Sequence, residues 1–167
     1  MELAWGLVES GRAVWLKGNH EADLVAALNQ GDWIAHRALA GSDTYRQLGD
    51  RHCRIWQERL AQLPCTYGGP GWLATHAGFD PASWQVDLSI RMAFWQAYDG
   101  RFGEVVIGHT PGPYVRRLGQ IVMVDTGACY GGELSAYCPE TGAVRSVPGL
   151  QQGQFGSFSQ QLQSCLP

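Results

Sequence analysis

Four residues in this sequence combine a reactive type with a telling position. Asn19 and His20 stand in Lys17-Gly18-Asn19-His20-Glu21, between the apolar run Ala13-Val14-Trp15-Leu16 and a helix-like segment over residues 22–30. His76 stands in Thr75-His76-Ala77-Gly78, after Trp72-Leu73-Ala74, and His109 in Gly108-His109-Thr110-Pro111, after Val105-Val106-Ile107. Three strand-like runs therefore each end in a glycine-flanked turn that carries a histidine. Neutral imidazole is the commonest metal ligand, and nitrogen and oxygen donors suit Zn, Mn or Fe. In open α/β sheets, ligands are bound beyond the carboxyl ends of the strands. Metal-assisted chemistry at such an edge is the reaction class these residues could serve.

The elements that must carry them can be read from periodicity and punctuation. Residues 2–10 read as a helix with Leu3, Leu7 and Val8 on one face, Gly11 as its stop and no residue ahead of it to cap it. Residues 13–17 read as a buried strand. Residues 22–30 read as a helix with Leu24, Val25 and Leu28 facing in, stopped by Gly31. Asp32 can cap a helix over 33–39, residues 44–48 continue after a loop, and Gly49 interrupts. Asp50 can cap a helix over 51–63 that Pro64 ends. After the turn-rich residues 67–71 come a strand over 72–76 and a helix over 87–97 with Ile90, Phe94 and Ala97 inward. Strands follow over 104–107, 114–117, 121–125, 134–137 and 143–147, with hairpin-like turns at Gly119-Gln120 and Glu140-Thr141-Gly142. The main domain thus spans 1–148, and the Gln/Gly/Ser-rich stretch 149–167 reads as a disordered tail.

Composition narrows the classes. With 167 residues, 45% of them hydrophobic and seven tryptophans among them, the chain can build one domain with a real core. A net charge of −3 offers no bulk attraction to nucleic acid or to an anionic membrane. The five cysteines form no Cys-x-x-Cys pair, which fits a reducing cytoplasm better than a disulfide scaffold. No secretory leader is visible in the first fifteen residues, and no apolar run approaches the ~20 residues of a membrane span. There is no internal repeat.

Taken in order, Gly18-Asn19-His20-Glu21, His76-Ala77-Gly78, Gly108-His109-Thr110-Pro111 and Asp125-Thr126-Gly127-Ala128 with Gly131-Gly132 resemble the calcineurin-like metallophosphoesterases. The likeness is to the branch of the bacterial Ser/Thr phosphoprotein phosphatases and the symmetrical diadenosine tetraphosphatases, and runs to about Val147. It implies an α/β fold, a β-sandwich of mixed sheets flanked by helices. It implies Asn19, His76 and His109 as ligands of one divalent metal, Mn first and Fe or Zn as alternatives. In the family a second ion stands ~3.5–4 Å away, hydroxide attacks phosphorus in line, and a histidine in the position of His20 protonates the leaving alkoxide. Lys17 stands where the family has a phosphate-binding Arg, and would offer a point charge in place of a fork. Pro111 replaces the second histidine of a Gly-His-x-His motif, which favours the phosphatase and tetraphosphatase branch.

One departure matters. The family's Asp-x-His and Gly-Asp-x-x-Asp-Arg-Gly turns, which supply the first metal's ligands and the bridging carboxylate, are not among the residues before Gly18. The implied reading is a domain without its N-terminal β-α unit, in which only the second-metal ligands remain. Residues 13–17 would then be a central strand with an unpaired ladder, prone to self-association. Residues 32–64 would be a helical lid that selects the substrate. Implied substrates are phosphoserine or phosphothreonine proteins, with dinucleoside polyphosphates as the alternative. A catalytically inactive module that binds phosphate or a partner is the third reading. Asp50-Arg51-His52 spells Asp-x-His but follows no buried strand, so Asp50 reads as a helix cap. Glu21 reads as a helix-start carboxylate, His36 as surface or packing, Cys129 as packing, and Asp125 with its glycines as a backbone turn beneath the site.

Overall fold

A computed structural model of the chain describes residues 1–149. They gather into two compact units that meet in sequence at Tyr67 and Gly68. The first is helical. α1 (Glu2–Glu9) ends where Gly11 takes φ +68. α2 (Asn19–Gln30) opens with the Gly18 N–H donating to Glu21 Oε2 at 2.8 Å, so Glu21 does serve the helix start. Gly31, at φ +65, closes it. Asp32 accepts from the Ala35 N–H at 2.8 Å and caps α3 (Trp33–Gly41). Ser42 accepts from the Tyr45 N–H at 3.3 Å and caps α4 (Asp43–Ala61). Gly49 breaks α4 with φ 74 and ψ 162, a conformation open essentially to glycine alone.

The inward faces of these helices build one core of Leu24, Leu28, Ala35, Leu39, Cys53, Trp56, Leu60 and Leu63. Each buried leucine contributes roughly 1.5–3 kcal/mol. The Trp5 and Trp15 rings rest on Trp56, with centroids at 5.7 and 6.3 Å. The Arg59 guanidinium lies 5.1 Å from the Trp5 centroid and 4.9 Å from that of Trp56.

Residues 13–17 do not form the expected strand. No strand among the described residues runs alongside them, and a β-run without a partner has no ladder to form. Val14 is 46% exposed, and the segment is held by the Lys17 N–H donating to the Pro64 carbonyl at 2.8 Å.

The second unit carries the sheets. β1 (Thr66–Gly69), at the junction, and β2 (Trp72–Thr75) begin a five-stranded mixed sheet. It continues through β5 (Glu104–Ile107), β7 (Ile121–Met123) and β6 (Arg116–Leu118), in that order across the sheet. β2, β5 and β7 are parallel, in a register that aligns Thr75 with Ile107 and Ile107 with Met123. β3 (Gly78–Phe79) pairs with β4 (Val86–Asp87), and β8 (Glu133–Cys138) with β9 (Ala143–Pro148), as antiparallel ribbons. The fold is thus mixed α/β, with mixed sheets and helices, as the sequence implies.

The expected helix over 87–97 is only α5 (Met92–Ala97). Val86 and Asp87 are drawn into β4, and the Asp87 carboxylate turns back to accept the Ser89 N–H at 2.8 Å. Phe94 is fully buried as expected, whereas Ala97 is exposed. The strand expected at 114–117 is displaced to Arg116–Leu118.

Alternation across the sheet places Val105, Ile107, Ile121 and Met123 on one face, in a core with Phe79 and Phe94. On the other face Glu104 accepts from the Tyr137 hydroxyl at 2.7 Å and from Arg117 Nη2 at 2.6 Å. Trp72 Nε1 donates to Glu140 at 3.1 Å, so β8 and β9 rest against the sheet through these polar ties. Among the described residues no helix is long and apolar enough to cross a membrane. The tail expected from residue 149 onward lies, but for Gly149, outside the described residues.

Candidate metal centre

The parallel register decides where the two later histidines emerge. Thr75 and Ile107 are level at the ends of β2 and β5, so His76 and Gly108 leave the sheet together. The Gly108 N–H donates to the His76 carbonyl at 2.9 Å and prolongs the ladder by one bond. His76 Nε2 then lies 3.1 Å from His109 Nδ1, with ring centroids 5.0 Å apart and planes at 62°.

His109 occupies unusual backbone. Its φ is +65, and the Thr110 N–H reaches back over it to the Gly108 carbonyl at 2.7 Å. That is a γ-turn of the rare positive-φ kind. A non-glycine residue held there costs on the order of 1–3 kcal/mol, and such strain clusters at functional sites. Packing fixes the surroundings. Thr110 is buried, and a Cβ on Gly78 would fall 2.4 Å from the fully buried Phe94 ring.

The separation of the two nitrogens fits a shared ion. Two donors each about 2.2 Å from a metal and at a right angle stand about 3.1 Å apart, whereas a tetrahedral zinc site separates them by about 3.4 Å. In the ion-free form the same distance is a hydrogen bond between rings of suitable tautomers. Among the described residues no group of three or more His, Cys, Asp or Glu side chains is gathered to hold a metal.

The glycine-rich stretch after β7 is a backbone device, as its sequence suggests. Asp125 Oδ1 accepts the Gly127 N–H at 3.0 Å, and its carbonyl accepts the Gly112 N–H at 3.0 Å. Gly132 donates to the Gly127 carbonyl at 2.9 Å, where a Cβ would meet the Thr126 oxygen at 2.1 Å. The Thr126 hydroxyl donates to the Glu133 carbonyl at 2.6 Å.

Asn19 and His20 belong to the helical unit. α2 begins at Asn19, so both lie in its first turn rather than in the loop before it. His20 is exposed and lines a cleft of about 450 Å³ with Asn19, Leu24, Ile34, Leu39 and Asp43. Lys17 Nζ donates to the Ala61 carbonyl at 2.7 Å, near the end of α4.

Asp50 differs from its expected role. Its carboxylate accepts from Arg54 Nε and from the Tyr45 hydroxyl, both at 2.9 Å, and these bonds, Arg54's foremost, hold its pKa below the usual carboxylate value. Cys129 is exposed rather than packed, and His36 is at the surface. Arg116 lies outside the histidine and glycine motifs of the sequence. Its Nε and Nη2 atoms are buried without a hydrogen-bond partner, against Gly112 of the loop that follows His109. The signal was the pair Arg116-Arg117: adjacent strand residues face opposite ways, so one of two arginines must turn toward the core side.

No family model matches the chain, and no curated protein matches it in sequence. It is similar to the crystal structure of a protein provisionally designated a diadenosine tetraphosphatase. The TM-score is 0.67 over 92% of this chain and 75% of that one, at 21% identity. At that identity the likeness establishes the fold.

Proposed function

We propose that the chain is a metal-dependent phosphoesterase in which His76 and His109 bind one divalent ion. The observation that carries this is the 3.1 Å approach of their ring nitrogens at the carboxyl edge of three parallel strands, with His109 held on strained backbone. An ion bound there would supply Lewis acidity toward a phosphoryl oxygen. Mn is the first expectation, and the donors also suit Fe or Zn.

Asn19 and His20 enter through motif order. Asn19 is the neutral oxygen donor of the set. His20, exposed at the start of α2, is the proton donor to the leaving alkoxide. Lys17 spends one of its three N–H groups on Ala61 and keeps two for a phosphate oxygen. The cytoplasm is the compartment that the cysteine usage supports.

On substrate, the designation of the structural neighbour favours a dinucleoside polyphosphate, and the motif order equally accommodates phosphoserine or phosphothreonine in a protein. The full chain with Mn, given diadenosine tetraphosphate and a phosphopeptide side by side, separates these. The substrate turned over should no longer react with His20→Ala or His76→Ala. Hydrolysis that survives both substitutions would refute the roles assigned. Phosphate binding without turnover would move the chain to the inactive binding-module reading.

A further inference from the structure

We infer that Arg116 is an oxyanion grip, a binding site for a phosphoryl group distinct from the histidine pair. Nε and Nη2 are the two nitrogens whose N–H bonds point side by side along one edge of a guanidinium, the edge that takes two oxygens of a phosphate or carboxylate at once. Those two atoms are the ones buried with no partner. A buried charged donor left unsatisfied is costly, and native folds rarely retain one without a ligand, ion or water to meet it.

Gly112 lies over the face of this guanidinium, where an added Cβ would stand 2.7 Å from Arg116 Nε, 2.9 Å from Cζ and 3.2 Å from Nη2. A Cβ at that distance would require the guanidinium to shift.

Register fixes the site's relation to the histidines. Arg116 is paired with Met123, Met123 with Ile107, and Ile107 with Thr75, so Arg116 stands on the rung just before His76 and Gly108. β6 is two strands from β5, about 10 Å across the sheet. On the face that Arg116 shares, its neighbours in β5 and β7 are the apolar Val105, Ile107, Ile121 and Met123, with no carboxylate among them to serve as an internal counter-ion. Arg117 faces the other way and is already paired with Glu104. A phosphoryl group is favoured over a carboxylate because the site shares an edge with the histidine pair, and this choice rests on the phosphoesterase reading. A group held two or three strands away from the histidine pair would belong to an extended phosphorylated substrate.

Thermal unfolding of the full chain in metal-free buffer, with inorganic phosphate or with acetate at matched ionic strength, tests the site without calling on hydrolysis. Phosphate should raise the midpoint of the native chain, and acetate should not. Arg116→Met should weaken phosphate protection by about tenfold in concentration. Arg116→Lys, which keeps the charge and loses the fork, should fall between. In phosphate-free buffer Arg116→Met should be no less stable than the native chain, since it removes an unpaired buried charge. The grip is overturned if phosphate protects Arg116→Met as well as it protects the native chain, if acetate protects equally through Arg116, or if neither anion protects, which would mean that water alone meets the guanidinium. Absence of hydrolysis with intact phosphate protection would count against the catalytic reading and leave the grip standing.

Discussion

His109 is the residue at which backbone and chemistry make separable predictions. Its positive φ suits glycine, so His109→Gly should remove the imidazole at no cost in stability, or with a gain. His109→Ala should remove the same imidazole and keep the strain, leaving it less stable than His109→Gly by about 1 kcal/mol or more. Urea titration of both variants checks this, and equal midpoints would show that the turn stores no strain. Asp99 gives the pH prediction. Arg101 donates to both its oxygens and holds its carboxyl at about 2, against the usual 3.8. The folded value lies below the unfolded one, so the stabilisation is present above about pH 4 and fades as the pH falls toward 2. Both side chains are exposed, so the contribution is small and weakened by salt. The stability gap between the native chain and Asp99→Asn should therefore close between pH 4 and pH 2, and a gap unchanged over that range would refute the coupling. At this scale the histidine pair was legible, because two apolar runs ending in His-bearing turns imply neighbouring strand ends. The γ-turn was not, since nothing in Gly-His-Thr-Pro marks a positive φ at a histidine. Arg116 was not, since its face depends on the register of an edge strand.

The elements were legible where punctuation decided them. Gly31, Asp32, Gly49 and Pro64 all mark real boundaries, because a positive φ, a side-chain cap or a missing N–H acts locally. Asp32→Ala should cost about 1 kcal/mol by stripping the cap from the Ala35 N–H, read as a lowered urea midpoint. Gly49→Ala should cost more, because the φ 74, ψ 162 conformation that breaks α4 excludes a Cβ. A Gly49→Ala chain as stable as the native one would mean that α4 straightens freely. Legibility failed where tertiary pairing competed with local pattern. Residues 87–97 have a helical stripe, yet Val86 and Asp87 gain a ladder with β3, and only the last six residues coil. Residues 13–17 have a strand's composition and, among the described residues, no strand beside them to pair with.

At the scale of the molecule, that unpaired segment carries a consequence. Val14 is 46% exposed beside backbone that no ladder among the described residues satisfies, a template for pairing with another chain. Sedimentation should show concentration-dependent association, reduced by a Val14→Lys substitution, and a monodisperse monomer at all concentrations would refute this. The most direct test of the metal centre is a titration of the full chain with Mn, with the free ion followed by electron paramagnetic resonance. The native chain should sequester one ion that both His76→Ala and His109→Gly release, the latter without loss of fold. Sequestration unaffected by either substitution, or none at all, would contradict the binding of metal by the histidine pair.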